Sequence, residues 1–145
     1  MQAYPHRYEV NAEADAEGSV LVHSEGLPTL TTAPPPQFGG AGGLWSPETL
    51  LVAAAIDCFI LTFRAIAAAS KLSWRRLGCD AEGVLDRSDG VVRFTELHLH
   101  AHLVVPAGVD TDRARRLLEK AETTCLVTNS LALRPTLTVE IVAEQ

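Results

Sequence analysis

The stretch that decides the reading of this chain is Ser46-Pro47-Glu48-Thr49-Leu50-Leu51-Val52-Ala53-Ala54-Ala55-Ile56-Asp57-Cys58-Phe59-Ile60-Leu61-Thr62-Phe63-Arg64, which continues through Ala65 to Ser70. It predicts a helix from Pro47 to Ser70. Ser46 is a good N-cap, Pro47 suits the first helical position, and Glu48 lies in the first turn, where the helix dipole favours negative charge. Leu50 to Phe63 is apolar except for Asp57 and Thr62, and a helix apolar on every side is either buried or membrane-spanning. Asp57 interrupts the run and Arg64 ends it, so the expectation is a buried central helix, too short to span a bilayer. So short a chain has little of its own protein to cover such a helix, and a second copy is expected to do so.

Outward from this helix the pattern is strand on both sides. Tyr8-Glu9-Val10 and Ser19 to His23 read as strands of a small antiparallel sheet, broken by turns at Asp15 to Gly18 and at Glu25-Gly26. Pro34-Pro35-Pro36 imposes an extended segment, and Gly39 to Gly43 lets the backbone bend before the helix. Beyond Lys71, Trp74 to Leu85 and Val91 to Val105 read as a hairpin turning at Asp86 to Gly90. In the second of these strands Leu97, Leu99, Ala101, Leu103 and Val105 alternate with Glu96, His98, His100 and His102, so one face packs and the other is wet. A helix capped by Asp110 or Thr111 runs to Thr124 with Ala114, Leu117, Leu118 and Ala121 inward. Cys125 opens a short piece to Leu133, and Pro135 to Val142 is a last strand.

The 145 residues are the size of one domain, 1–145, with no internal repeat. A net charge of −6 gives no electrostatic footprint for a nucleic acid or an anionic membrane. Neither partner is expected. Met1 to Val10 carries polar residues where a signal peptide has its apolar core, so the expected compartment is the cytoplasm, where thiols stay reduced. Three cysteines, Cys58, Cys79 and Cys125, are odd in number and widely spaced, against a disulfide framework or a zinc knuckle. Free cysteine is commonly inert packing. A thiol in an apolar helix with a second thiol able to approach it is, however, what reversible disulfide chemistry requires.

Pro36-Gln37-Phe38-Gly39-Gly40-Ala41-Gly42-Gly43, then Ser46-Pro47-Glu48, then Cys58 ten positions on within Ala53 to Phe59, then Cys125-Leu126-Val127-Thr128-Asn129-Ser130 together resemble the OsmC/Ohr family of osmotically inducible and organic hydroperoxide resistance proteins. The match runs along essentially the whole chain. It implies an OsmC-like α+β fold, antiparallel sheets around a long buried central helix in an intertwined homodimer. It also implies that Cys58 attacks a small hydrophobic hydroperoxide and that Cys125 resolves the sulfenic acid as an intramolecular disulfide. The resemblance further implies an external dithiol or lipoyl-type reductant that restores the thiols, with no bound cofactor expected. Glu48 matches the family glutamate that orients the peroxide and its arginine partner. Ten residues of helix put Glu48 about 15 Å from Cys58. Either a partner chain brings a second Glu48 near, the helix start folds back, or Glu48 serves only the helix dipole.

The chain also departs from the pattern. The family arginine on the N-terminal hairpin is missing, since Asn11 to Leu27 holds no Arg or Lys. Without an adjacent cation, a thiol in apolar surroundings is expected to have a raised pKa. Arg7 and Arg134 are the candidate substitutes, whereas Arg64, six residues past Cys58, points elsewhere on the helix. Leu126 stands where a proline often follows the second cysteine. The alternative function is therefore a non-peroxidase member that binds a small hydrophobic molecule beside Cys58. Asp57 is expected to reach a donor or a subunit interface, because an unpaired buried carboxylate is costly. Cys79 reads as core. His98, His100 and His102 read as the polar face of a strand rather than a metal site, for want of a further ligand at a recognisable spacing. The glycine run lacks the Lys-Ser/Thr ending of a phosphate loop.

Overall fold

A computed structural model describes residues 1–145. The chain forms two compact units, Met1–Leu50 and Leu51–Gln145. In the first, β1 (Asn11–Glu13), β2 (Val20–His23) and β3 (Leu30–Thr32) make an antiparallel sheet in that order. The first strand is thus three residues later than Tyr8-Glu9-Val10. Register explains the shift: Asn11 pairs with His23, the last residue of β2, and Tyr8 to Val10 have no strand opposite them. A single 3-10 turn, Pro36–Phe38, follows the prolines. Gly40 is required behind it, because a Cβ there would lie 1.8 Å from the Pro34 carbonyl oxygen.

The helix α1 runs Pro47–Ala69. Ser46 caps it as expected: its Oγ accepts from the Thr49 N–H at 3.1 Å while its own N–H donates to Thr49 Oγ1 at 2.9 Å. This is a capping-box arrangement with Thr49 in the place of the usual Glu or Gln. The helix ends without glycine. Lys71 adopts φ 53°, the Leu72 N–H returns to the Ala67 carbonyl, and Arg113 donates to the Ser70 carbonyl.

In the second unit, β4 (Arg76–Ser88) and β5 (Val91–Val105) form the long hairpin. Its turn is only Asp89-Gly90, both at positive φ, so the strand continues through residues first read as turn. The helix α2 (Thr111–Thr124) is capped by Asp110, whose side chain accepts from the Arg113 N–H, and α3 (Leu126–Asn129) follows Cys125. The last strand, β6 (Thr136–Ala143), pairs with β5 in parallel, so this sheet is mixed rather than antiparallel. The α2 and α3 crossover supplies the length that a parallel connection needs.

The core joins Ala55, Phe59, Phe63 and Ala67 of α1 to Leu97, Leu99, Ala101, Leu103 and Val105 of β5 and to Ala114, Leu118 and Ala121 of α2. The strand alternation is as the sequence predicts. The helix is not. It is buried along one four-residue stripe, and Leu61 is 50% exposed. By length and composition α1 is also long enough to cross a membrane, which corrects the expectation that it is too short. Burying the Phe59 and Phe63 rings in the core ties α1 to the sheet, each such ring contributing roughly 2–3 kcal/mol.

Candidate functional site

Cys58 and Cys125 meet. Cys58, the twelfth residue of α1, is half-buried, and Cys125 at the joint of α2 and α3 is fully buried with its thiol 4.0 Å from the Ala55 carbonyl. The two thiols are close enough that each shifts the other's titration, Cys125 lowering Cys58 and Cys58 raising Cys125. Cys125 closes α2 and opens α3 with one extended residue, φ −63° and ψ 114°. That bend sets the first residues of α3 beside Cys58 in one groove, where the Val127 and Leu126 backbone amides lower the thiol's titration. Thr62, one turn along α1, stands 3.8 Å from the same sulfur.

These donors decide the electrostatics. Burial pushes the Cys58 thiol up, but the Cys125 thiol, the Val127 N–H, the Thr62 hydroxyl and the Leu126 N–H outweigh it, and Cys58 titrates below the ordinary cysteine value. The expectation of a raised pKa without a cation is therefore overturned. Neutral donors, the Cys125 thiol first among them, do the stabilising that a guanidinium would do. Burial, together with the hydrogen bond to Cys58, pushes Cys125 the opposite way. The pair thus holds one thiolate-prone sulfur open to the surface and one neutral thiol packed behind it. Cys125 is fixed in the core at the joint of the two helices. It is already in place.

Cys58 opens onto a shallow groove of about 520 Å³ lined by Ala54, Asp57, Cys58, Leu61, Thr62, Ala65, Leu126 and Val127. The lining is hydrocarbon apart from Asp57, Thr62 and the sulfur. Asp57 is exposed at the groove rim, so the buried, costly carboxylate that the apolar run suggests does not arise. Thr62 and the two α3 amides are the groups beside Cys58 that sequence reading overlooked. The i, i+4 spacing of Cys58 and Thr62 is a visible signal for the first; nothing local marks the amides.

The other expected residues lie elsewhere. Glu48 is on the same unbroken α1, about 15 Å from Cys58, so the helix start does not fold back. Its Oε2 is buried without a hydrogen-bond partner in a cavity of about 320 Å³ with Val20, Thr32, Pro34, Pro35 and Phe38. Arg134 is committed to Asn129 at 2.9 Å and Glu122 at 3.6 Å, and Arg7 is an exposed residue of the first unit. Arg134 does not line the groove. Cys79 packs against the core from β4, and burial with the Asp80 charge pushes it up to about 11.

Comparison with known proteins bears on the family and the fold. The family described as OsmC-like protein matches residues 40–140. The uncharacterized protein YmaD of Bacillus subtilis is 26% identical over 100 residues, 67% of each chain. The crystal structure of the organic hydroperoxide resistance protein OsmC from Legionella pneumophila superposes with a TM-score of 0.75 at 25% identity, covering 96% of this chain and 98% of that one. An organic hydroperoxide resistance protein from Elizabethkingia anophelis, crystallised with thiocyanate bound, superposes with a TM-score of 0.78 at 20% identity over 99% and 100% of the two chains. With its two sheets, its helices and a family match over more than two thirds of its length, the chain belongs to the OsmC-like protein family.

Proposed function

We propose that this chain is a thiol-dependent peroxidase acting on organic hydroperoxides, and the observation that carries the reading is the close pair of one accessible and one buried thiol, each shifting the other's titration. The Cys58 thiolate attacks the terminal peroxide oxygen and the O–O bond breaks. The alkoxide leaves and takes up a proton as the alcohol. Cys58 is left as a sulfenic acid. The Cys125 sulfur then attacks the Cys58 sulfur and expels the oxygen as water, forming the disulfide. An external dithiol, of the lipoyl type or on a partner protein, returns two electrons and two protons. The hydrocarbon groove favours a substrate whose organic part is apolar, at about 25 cal/mol for each Å² it buries, so hydrogen peroxide gains little from it.

A second copy of the chain completes this reading. It covers the apolar face that α1 leaves open and makes α1 the central helix of a homodimer. The unpartnered Glu48 Oε2 is the group for which a partner subunit's site has a use: a carboxylate there orients a peroxide or pairs with a cation. The expected compartment is the cytoplasm, whose reductants keep the pair cycling.

The second reading is a binder of small hydrophobic molecules without turnover, favoured by the absence of Arg and Lys from the groove lining. One assay separates the two. Reduced protein with a dithiol reductant should consume cumene hydroperoxide faster than hydrogen peroxide, and Cys58→Ser should abolish the turnover. Turnover unchanged in that variant, or none in the parent protein, removes the peroxidase reading. Saturable binding of the alcohol product by an inactive parent supports the binder.

A further inference from the structure

The outer face of the second sheet carries an arrangement that the thiol chemistry does not use. His100 and His102 project from the same side of β5, and the parallel register of β6 sets Glu140 directly beside His102 and Thr138 beside His100. On the other flank β4 places Asp80 opposite His100. One donor atom from each of His100, His102 and Glu140 lies within 4.8 Å of the others. We infer that this three-strand cluster is a binding site for a borderline divalent cation such as zinc, with His100, His102 and Glu140 as ligands and Asp80 behind His102.

Three features of the geometry support it. First, the His102 ring stands between two carboxylates, with Nδ1 3.1 Å from Glu140 Oε2 and Nε2 3.3 Å from Asp80 Oδ2. A neutral imidazole has one N–H to give and here two acceptors to satisfy. A cation at Nδ1, shared with Glu140, leaves the N–H on Nε2 for Asp80. That is the carboxylate–histidine–metal relation in which an outer acidic group holds the ring of a ligand. Second, donors around a tetrahedral zinc sit about 3.3 Å apart, close to the His102–Glu140 separation. Third, the Thr138 hydroxyl engages His100 Nδ1, which orients that ring and leaves its Nε2 for the metal. His100 and Glu140 are exposed, so rotation about their side chains closes the remaining gap.

The third ligand that a His-x-His strand lacks in sequence arrives from 38 residues away through a parallel pairing. His98 is the internal contrast. It shares the face and a threonine partner at Nδ1, but its Nε2 faces Glu96 at 3.8 Å and it is no part of the cluster. The core face of the sheet, with α1 packed on it, lies between this site and the thiols. The site is independent of the proposed peroxidase and fails or stands separately from it.

Zinc titration by calorimetry tests the inference in a Cys58→Ser/Cys125→Ser background, which removes the competing thiol pair. One zinc ion per chain is expected. His100→Ala, His102→Ala and Glu140→Gln should each weaken binding at least about tenfold, and Asp80→Asn about tenfold, the loss typical of an outer-shell partner. His98→Ala should leave it unchanged, with circular dichroism confirming that every variant folds. Cobalt in place of zinc should give d–d bands without a sulfur charge-transfer band. No saturable zinc binding in the double-serine protein, or a His98→Ala loss equal to that of His102→Ala, overturns the site.

Discussion

At Cys58 the balance between burial and hydrogen bonding sets the reactivity. Four neutral donors outweigh desolvation, so the thiolate is the favoured form at a lower pH than for a free cysteine. Because only the thiolate reacts with an alkylating reagent, labelling of Cys58 should rise with pH along a curve displaced to the acid side of an unfolded control. Thr62→Val and Cys125→Ala each delete one donor and should move the curve back toward higher pH. Peptide mapping after brief treatment with iodoacetamide near neutral pH checks both points. Cys79, held near 11, should stay unlabelled while Cys58 reacts, and equal labelling of the two would contradict the assignment. The type and position of both paired thiols are legible in the sequence, as is their place on an apolar helix and after a second one. Their protonation is not, since the Leu126 and Val127 amides carry no side-chain signature and act only once Cys125 bends the chain.

Helix starts and strand faces are the elements that local chemistry specifies well. The Ser46 and Asp110 caps, the inward stripe of α2 and the alternation along β5 all follow from nearest neighbours and periodicity. Ser46 is 2% exposed and exchanges hydrogen bonds with Thr49. Ser46→Ala should therefore cost about 1 kcal/mol, read as a fall of about 3 °C in Tm. A thermal melt unchanged within error would show that the cap is dispensable. The elements misread from sequence share a cause. Tyr8 to Val10 has strand composition but no opposite strand, and Asp86 to Ser88 has turn composition but lies in register with Val91 to Arg93. In both cases cross-strand pairing overrides local preference.

For the molecule as a whole the open side of α1 is the dominant fact. One stripe is buried, and the groove side presents Ala54, Leu61 and Ala65 to solvent. If a second copy covers that side, sedimentation equilibrium at micromolar concentration should return twice the chain mass of 15.6 kDa. A concentration-independent monomer would remove the homodimer, and with it the proposed contribution of Glu48 from a partner. The same measurement bears on the membrane-length composition of α1, because a helix covered by a second copy leaves no apolar surface for lipid.

By itself the sequence determined the α+β class, the order of elements, the packed face of β5, the cap of α1 and the identity of the two thiols. Each of these rests on spacing within a few turns or on residue type, which short-range sterics and hydrophobic burial translate directly. Only the tertiary structure decided which sulfur is thiolate-prone, that β6 runs parallel to β5, that α1 buries one stripe rather than its whole girth, and that Glu140 reaches the histidines. Those outcomes join residues tens of positions apart, and their energies depend on burial and on dipole directions that exist only after the chain has closed on itself.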